Sequence, residues 1–238
     1  MLLTSSGLIE SRSRAQALIL AGKVKVAGET VRRPDRAVRD DDVVTVDESP
    51  GYASRGALKL APALDRFGVD PAGHVCADIG ASTGGFTDVL LRRGAAKVYA
   101  LDVGRGLLHW RLRQDPRVVV IERVNARDLE SFPEPVSLVV IDVSFISLEK
   151  IVPAVRRAAP RAEVVALFKP QFEVGRSEVG KGGIVRNASV IETAVVKFRS
   201  WCATNGYMVT GTVASEVAGA EGNREIFFHL IPLIAEHP

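Results

Sequence analysis

Five short apolar runs, separated by stretches with helical character, constrain the fold of this chain more than any other feature. They span residues 74–79, 97–101, 118–121, 136–141 and 164–168. Each run is continuous rather than alternating, which is typical of strands covered on both faces, and their alternation with helices indicates βαβ crossovers. Two later runs, at 208–213 and 226–231, are joined by a loop alone and predict an antiparallel pair. The sequence therefore predicts an α/β fold with a seven-stranded sheet.

The first 48 residues follow a different pattern, which predicts a separate small α+β domain. Apolar residues recur at helical spacing up to Gly22, and Val24 and Val26 then alternate with lysines ahead of a turn at residues 27–29. A turn-rich join follows at Ser49-Pro50-Gly51. We therefore expect a domain at 1–48, a linker at 49–56 and a second domain at 57–238.

Membrane and metal functions find little support in the sequence. None of the apolar runs approaches the roughly 20 residues that a membrane helix needs, and the start of the chain lacks a secretory signal pattern. We expect a cytoplasmic protein with no stable membrane insertion. Cys76 and Cys202 have no zinc-type ligand pattern beside them, so we predict two core thiols and no metal site.

The distribution of charge says more about a partner than the net charge of +3 does. Lysine and arginine outnumber acidic residues between positions 10 and 39, a pattern that fits phosphate contact but equally fits a solvated surface. The candidates for RNA contact in this segment are Arg12, Arg14, Lys23 and Lys25.

Polar residues stand at or near the ends of four of the runs: Asp78, Asp102, Asp142 and Lys169. In a doubly wound sheet, ligands bind outside the carboxyl ends of the strands, so these side chains are expected to face one cleft. Asp78 precedes a glycine-rich turn at residues 80–85. Asp102 lies 22 residues after the first glycine of that turn, close to the spacing at which an acidic residue reaches ribose hydroxyls in adenosine sites.

The glycine-rich turn favours an adenosine ligand without phosphates. Ser82 stands where a dinucleotide-binding turn has its second glycine, and the chain has no triphosphate-binding P-loop sequence. We therefore favour S-adenosylmethionine as the cofactor. The same turn also fits the G-x-S-x-G nucleophile elbow, with Asp142 and His229 following Ser82 in α/β-hydrolase order. A hydrolase with Ser82 as nucleophile is the minor alternative.

Taken together, motifs spread along nearly the whole chain resemble the TlyA family. The motifs are SRGALKL at 54–60, DIGASTGGFTD at 78–88, YALDVG at 99–104, DVSFISL at 142–148, KPQFE at 169–173 and GNRE at 222–225. This family comprises ribosomal RNA ribose methyltransferases, often described as hemolysin A, and its catalytic domain is similar to the FtsJ/RrmJ type. The resemblance implies a Rossmann-like S-adenosylmethionine-dependent methyltransferase domain behind an alpha-L type RNA-binding domain. The basic stretch that usually opens that first domain is missing, so we expect an N-terminal truncation.

The resemblance also implies roles for individual residues. The family's Lys-Asp-Lys-Glu catalytic set matches Lys59, Asp142, Lys169 and Glu225. We assign Lys169 as the base or the group that orients the ribose hydroxyl, and Asp142 as its positioning partner, while Lys59 and Glu225 complete the network. The residues expected to bind the cofactor are Asp78, Gly80, Ser82, Gly84 and Gly85 at the methionine end, Asp102 at the ribose and Asn125 near adenine. Beyond the first domain, the residues expected to contact RNA are Arg55, Arg176, Lys181 and Arg186.

The leading hypothesis is methyl transfer to a ribose 2′-hydroxyl of ribosomal RNA, at a cytidine. Its partners would be ribosomal RNA or ribosomal subunits; the sequence gives no oligomeric state. Two alternatives remain beside it: a membrane-lysing hemolysin, and an RNA-binding or ribosome-assembly factor without catalytic activity.

Overall fold

The computed structural model describes residues 2–6, 8–9, 12–20, 22–39, 42–46, 51–219 and 222–233. The chain divides into two compact units, Met1–Gly51 and Tyr52–Pro238. Each unit has a hydrophobic cluster built from its own residues.

The first unit contains helices α1 (Leu2–Ser5) and α2 (Arg12–Leu20) and strands β1 (Val24–Val26), β2 (Glu29–Val31) and β3 (Val44–Val46). Its described strands form an antiparallel sheet in the order β2-β1-β3. A tight turn joins β1 to β2, with both Ala27 and Gly28 at positive φ. Two consecutive positive φ values suit the right-handed twist of a two-residue hairpin, which explains the glycine there.

The second unit is a sheet with helices on both faces. Its strands are β4 (Val75–Ile79), β5 (Lys97–Asp102), β6 (Val118–Glu122), β7 (Leu138–Ile141), β8 (Glu163–Phe168), β9 (Tyr207–Ala214) and β10 (Ile226–Pro232). Its helices are α3 (Ala57–Phe67), α4 (Gly85–Arg92), α5 (Trp110–Arg113), α6 (Val152–Ala158), α7 (Pro170–Glu173) and α8 (Ala188–Thr204). Within the described residues the sheet has seven strands, in the order β6-β5-β4-β7-β8-β10-β9.

The predicted sheet is confirmed in its strand count and in its mixture of directions. Strands β4 to β8 run parallel, and β10 is antiparallel to both β8 and β9. The order reverses beside β4, where β5 and β6 lie on one side and β7 and β8 on the other. Such a reversal leaves a crevice at the carboxyl ends of the strands, and ligands of doubly wound sheets bind there.

Alternate residues of each strand pack into two cores, which accounts for the continuous apolar runs. Cys76 packs with α3 and α4 on one face, and its neighbour Ala77 packs with α6 and α8 on the other. Cys202, on α8, is also buried, so both thiols lie in the core as expected. In the described part of the chain no helix is long and apolar enough to cross a membrane.

Candidate active site

Five polar residues converge at the carboxyl edge of the sheet in the second unit. Asp102 ends β5, Asp142 follows β7 and Lys169 follows β8, so parallel pairing places them along one edge. Glu225 precedes β10, whose first residue Ile226 pairs with Phe168 at the end of β8. Glu225 is therefore the neighbour of Lys169 across the antiparallel ladder. Lys59 reaches the same edge from α3, because its ammonium contacts the carboxylate of Glu225.

The turn between β4 and α4 brings backbone close to its surroundings. Gly80 has φ +86°, and a Cβ there would overlap the backbone carbonyl of Asp142. Gly84 caps α4 at φ +95°, and a Cβ there would come within 2.7 Å of Leu108 Cδ1. Both positions demand glycine for its positive φ and for space. The glycines thus keep the turn pressed against the strand ends and leave its outer side open.

Asp102 fixes two loops at once. Its Oδ2 accepts a hydrogen bond from the backbone N–H of Ser82 at 2.8 Å, and its Oδ1 accepts one from that of Gly104 at 2.7 Å. Ser82 has positive φ, which lets its N–H face the carboxylate. A carboxylate has about four lone-pair sites, so both oxygens retain capacity for ribose hydroxyls.

Two cavities flank this turn and share three lining residues, Gly80, Ser82 and Asp142. The larger, of about 370 Å³, also has Asp102 and Asn125 in its wall, with apolar side chains around them. The smaller, of about 240 Å³, is lined by Lys59, Arg55 and Gly85 among others. A mostly apolar cavity with an acidic residue placed for hydroxyls fits an adenosyl group, and the smaller cavity, which Lys59 and Asp142 line, has room for a group attached to it.

Asp78 is fully buried beneath the turn and lines neither cavity. Its Oδ2 accepts hydrogen bonds from the backbone N–H of Thr87 at 2.8 Å and from Thr87 Oγ1 at 2.6 Å, while its buried Oδ1 has no partner among the described residues. Burial raises the pKa of Asp78 to about 7. Asp78 therefore supports the turn from below, and its expected contact with the methionine end stays a prediction.

The two lysines form two separate ion pairs. Lys169 Nζ lies 2.6 Å from Asp142 Oδ1 and donates a hydrogen bond to Ser144 Oγ at 3.0 Å. Lys59 Nζ lies 2.6 Å from Glu225 Oε2. All four charged side chains are at least three-quarters buried. Burying a charge costs free energy unless the ion is paired. The pairing of these four groups is therefore needed for the stability of the fold, and it also fixes their positions in the site.

This arrangement suits chemistry on a hydroxyl group. Lys59 and Asp142 line the same cavity, and Lys169 is bound to Asp142 beside it. An ammonium group next to a hydroxyl can orient it and stabilise the negative charge that develops on its oxygen, whereas a neutral amine can accept its proton. The four residues of the predicted catalytic set are therefore brought together, although their individual roles remain assignments.

In the second unit, all four residues predicted to contact RNA have exposed side chains. Arg55 lies at the rim of the smaller cavity, and Arg176, Lys181 and Arg186 lie between α7 and α8. In the first unit Arg12 and Lys25 are exposed and Lys23 is partly exposed. The side chain of Arg14 lies outside the described part of the structure.

Asn125 caps a turn through its side chain. Its side-chain oxygen accepts the backbone N–H of Arg127 at 3.1 Å and caps a short 3-10 turn at Ala126–Asp128. The residue also lines the larger cavity. Its side-chain amide nitrogen can therefore serve a ligand while the oxygen holds the turn.

Three supporting residues were not assigned from the sequence. Asn223 is buried and joins two segments, accepting from the Val185 N–H at 3.0 Å and donating to the Gly183 carbonyl at 2.8 Å. Asp88 accepts hydrogen bonds from the Ala53 N–H at 2.8 Å and from Arg111 at 2.9 Å. Phe145 exposes 90% of its surface on the rim of the larger cavity. All three lie inside the motifs named in the sequence analysis, and that position was the evidence in the sequence that could have identified them.

The hydrolase alternative is wrong. His229 Nδ1 lies 2.7 Å from Thr210 Oγ1, and its Nε2 contacts Glu163, the first residue of β8. Both ring nitrogens therefore have partners, and His229 lies near the amino end of β8, where it pairs with Val165. Ser82 lies at the opposite, carboxyl edge of the sheet. His229 is a structural core residue and cannot serve Ser82 as a base. Among the described residues, no cluster of side chains is suited to hold a metal ion.

Comparisons with known proteins identify the family of this chain. The sequence model of the FtsJ-like methyltransferase family matches residues 52–231, and that of the S4 domain matches residues 1–44. The chain is 48% identical to the 16S/23S rRNA (cytidine-2'-O)-methyltransferase TlyA of Mycobacterium tuberculosis, over 96% of this chain and 87% of that protein. It is 44% identical to Hemolysin A of Brachyspira hyodysenteriae, over 95% of this chain and 96% of that protein.

Solved structures of other proteins share the fold of this chain. A Streptococcus thermophilus protein described as a hemolysin superposes with a TM-score of 0.75 at 42% identity, over 97% of this chain and 86% of that chain. A magnesium protoporphyrin IX methyltransferase from Synechocystis shares the fold alone, with a TM-score of 0.51 at 13% identity over 74% of this chain and 82% of that chain. With its fold, its convergent site and these matches, the chain belongs to the TlyA family of FtsJ-like methyltransferases with an N-terminal S4 domain.

Proposed function

We propose that this protein transfers a methyl group from S-adenosylmethionine to the ribose 2′-hydroxyl of a cytidine in ribosomal RNA. The observation that carries the proposal is the convergence of Lys59, Asp142, Lys169 and Glu225 as two buried ion pairs beside an adenosyl-sized cleft. The name of the Mycobacterium tuberculosis relative, 16S/23S rRNA (cytidine-2'-O)-methyltransferase, specifies the same class of reaction.

The cofactor supplies an electrophilic methyl group on a sulfonium centre, and the protein's own residues hold it. Asp102 accepts hydrogen bonds from the ribose hydroxyls, and Asn125 contacts the adenine region. Gly80, Ser82 and Gly85 provide open backbone for the methionine end, in the smaller cavity that they line. Gly84 and Asp78, which are also assigned to the methionine end, line neither cavity: Gly84 caps the start of α4, and Asp78 accepts hydrogen bonds from Thr87.

Lys169 is assigned to the ribose hydroxyl. A ribose 2′-hydroxyl is a poor nucleophile at neutral pH, so its reaction needs orientation and a group that compensates the charge growing on its oxygen. Lys169 Nζ lies 2.6 Å from Asp142 Oδ1, so its terminal nitrogen is held beside the cleft, where it can orient the hydroxyl and compensate the charge on its oxygen. Asp142 and Ser144 hold that ammonium in place, and Lys59, anchored by Glu225, faces the ribose or its phosphate.

RNA affinity is divided between both domains in this proposal. The domain at 1–48 contributes Arg12, Arg14, Lys23 and Lys25, and the domain at 57–238 contributes Arg176, Lys181 and Arg186, with Arg55 from the linker between them. Phosphate contacts release counterions, so affinity should fall steeply with salt. An enzyme with this substrate works where ribosomes are, so we expect it in the cytoplasm.

The variant Lys169→Ala tests the proposal. We expect the rate of methyl transfer from labelled S-adenosylmethionine into ribosomal RNA to fall about 10²- to 10⁴-fold, the usual contribution of a positioned acid–base group. Calorimetric affinity for S-adenosylmethionine and filter-binding affinity for RNA should stay near wild type. Lys197→Ala is the matched control, because Lys197 is an exposed lysine on α8.

Two outcomes would contradict the proposal. Unchanged methylation by Lys169→Ala would remove the assignment of Lys169, and RNA binding by the wild-type protein without any methylation would favour the non-catalytic alternative. Haemolysis measured with the same variant would tell whether a lytic effect depends on methylation at all.

A further inference from the structure

A cavity of about 560 Å³ lies outside the site described above, between β10 and the start of α8. Its wall includes Ile184, Ile191 and Ile226, all partly exposed, together with Arg186, Arg224 and Glu192. Its size falls within the usual range of ligand pockets, about 300 to 1,000 Å³. None of the roles assigned above accounts for its apolar floor or for Arg224.

This cavity is next to the catalytic set but on the other face of the sheet. Glu225 lies between Arg224 and Ile226, and successive residues of an extended strand point to opposite faces. The carboxylate of Glu225 meets Lys59 on the α3 side, whereas Ile226 packs with the core on the α8 side. A ligand in this cavity would therefore contact Arg224 and Ile226, the two neighbours of Glu225 in the chain, while Glu225 itself pairs with Lys59 beside the target ribose.

The chemistry of the cavity fits a nucleotide. Arg186 and Arg224 are exposed, and neither guanidinium has an ion-pair or hydrogen-bond partner among the described residues. Guanidinium groups bind phosphate in a bidentate manner, and apolar side chains beneath them offer a surface for a base. Among the described residues that line the cavity, Glu192 supplies one negative charge against these two positive ones, so their net charge is positive.

The wall of the cavity is held in place before any ligand binds. Asn223 accepts from Val185 N–H at 3.0 Å and donates to the Gly183 carbonyl at 2.8 Å, which ties the segment carrying Arg186 to the segment carrying Arg224. Asn223 is itself buried. A preorganised site loses less conformational entropy on binding, so this connection favours recognition of a defined RNA conformation.

We propose that this cavity binds a nucleotide neighbouring the methylated one, with its phosphate between Arg186 and Arg224 and its base on Ile184, Ile191 and Ile226. The inference rests on the proposed function, because it takes ribosomal RNA as the substrate. It makes Arg224 and Ile191 determinants of which RNA sequence or shape is accepted at the site. Single-stranded or unstacked nucleotides are the form of RNA that such a cavity can take up.

The variant Arg224→Ala tests the phosphate contact. We expect KM for ribosomal RNA to rise about tenfold, the effect of losing one charge-assisted hydrogen bond, while kcat and the affinity for S-adenosylmethionine change little. The slope of RNA affinity against salt should decrease by about one phosphate contact. Arg161→Ala is the matched control, because Arg161 is an exposed arginine in the turn that precedes β8, at the opposite edge of the sheet.

A photo-crosslinking residue at position 191 tests the location directly. Crosslinks should map to a nucleotide adjacent to the 2′-O-methyl mark on the same RNA. Crosslinks confined to distant nucleotides, or an Arg224→Ala protein with wild-type KM and salt slope, would overturn the inference. Failure of the wild-type protein to methylate RNA would instead refute the proposed function, and RNA binding by Arg224→Ala would still decide whether the cavity takes up a nucleotide.

Discussion

The buried pair of Lys59 and Glu225 predicts a specific pattern of stability among its variants. The side chains are 12% and 3% exposed, and their charged atoms are 2.6 Å apart. Removing one partner leaves a buried unpaired charge at a cost of about 3–5 kcal/mol, whereas replacing both by neutral groups of similar volume is often close to neutral. Glu225→Gln and Lys59→Met should therefore each destabilise the unit by about 3–5 kcal/mol, and the double variant should be more stable than either single one.

Tryptophan fluorescence during urea unfolding measures this effect cleanly. The chain has two tryptophans, Trp110 and Trp201, and both lie in the second unit, so the signal reports on that unit alone. In thermal unfolding followed by the same fluorescence, each kcal/mol lost from the free energy of unfolding lowers the Tm of a unit of this size by about 2–4 °C. Each single variant should therefore have a Tm about 6–20 °C below that of wild type. Glu130→Gln, an exposed carboxylate, is the control and should change stability by less than about 0.5 kcal/mol. Purely additive losses in the double variant would refute the reasoning, because they would show that neither charge depends on the other.

Two further predictions concern the turn after β4. Burial raises the pKa of Asp78 to about 7, so from about pH 4 to about pH 7 the folded state keeps a proton that the unfolded state has lost, and this residue makes stability fall as pH rises. In Asp78→Asn, the fall in the free energy of unfolding between pH 4 and pH 7, measured by urea titration at each pH, should be smaller than in wild type by on the order of 4 kcal/mol. An equal dependence of this free energy on pH in both proteins would contradict the prediction. Gly84→Ala should destabilise by about 2–5 kcal/mol through backbone strain and overlap with Leu112 and Leu108, while Gly106→Ala, at positive φ in open space, should cost only about 1–2 kcal/mol in the same assay.

The sheet could be predicted because buried parallel strands leave an unambiguous pattern. Continuous apolar runs gave five strands, and the last two runs gave the antiparallel pair that the structure contains. Strand β2 was missed, since Glu29–Val31 is three residues long and mainly polar, so it has no pattern of its own. It forms because the turn at Ala27 and Gly28 folds it back onto β1.

The site could be located from the ends of the strands, but its pairings could not. Strand-terminal residues such as Asp142 and Lys169 are visible in sequence because each one interrupts or follows an apolar run. The pairing of Lys59 with Glu225 depends on an antiparallel strand inserted beside β8, an order that no local pattern encodes. The roles of Asn223 and Asp88 were hidden for the same reason, since both join segments far apart in the chain.

The contact between Lys59 and Glu225 also has a consequence for the birth of the protein on the ribosome. The two residues are 166 positions apart, and protein synthesis proceeds at about 5–20 residues per second, so Lys59 precedes Glu225 by roughly 8–33 s. During that interval all five parallel strands are synthesised, yet Lys59 on α3 lacks the carboxylate with which it pairs in the folded protein. A nascent chain stalled before residue 225 would thus carry an incomplete catalytic set, and the protein that modifies ribosomal RNA would stay inert until Glu225 had been added and had reached Lys59.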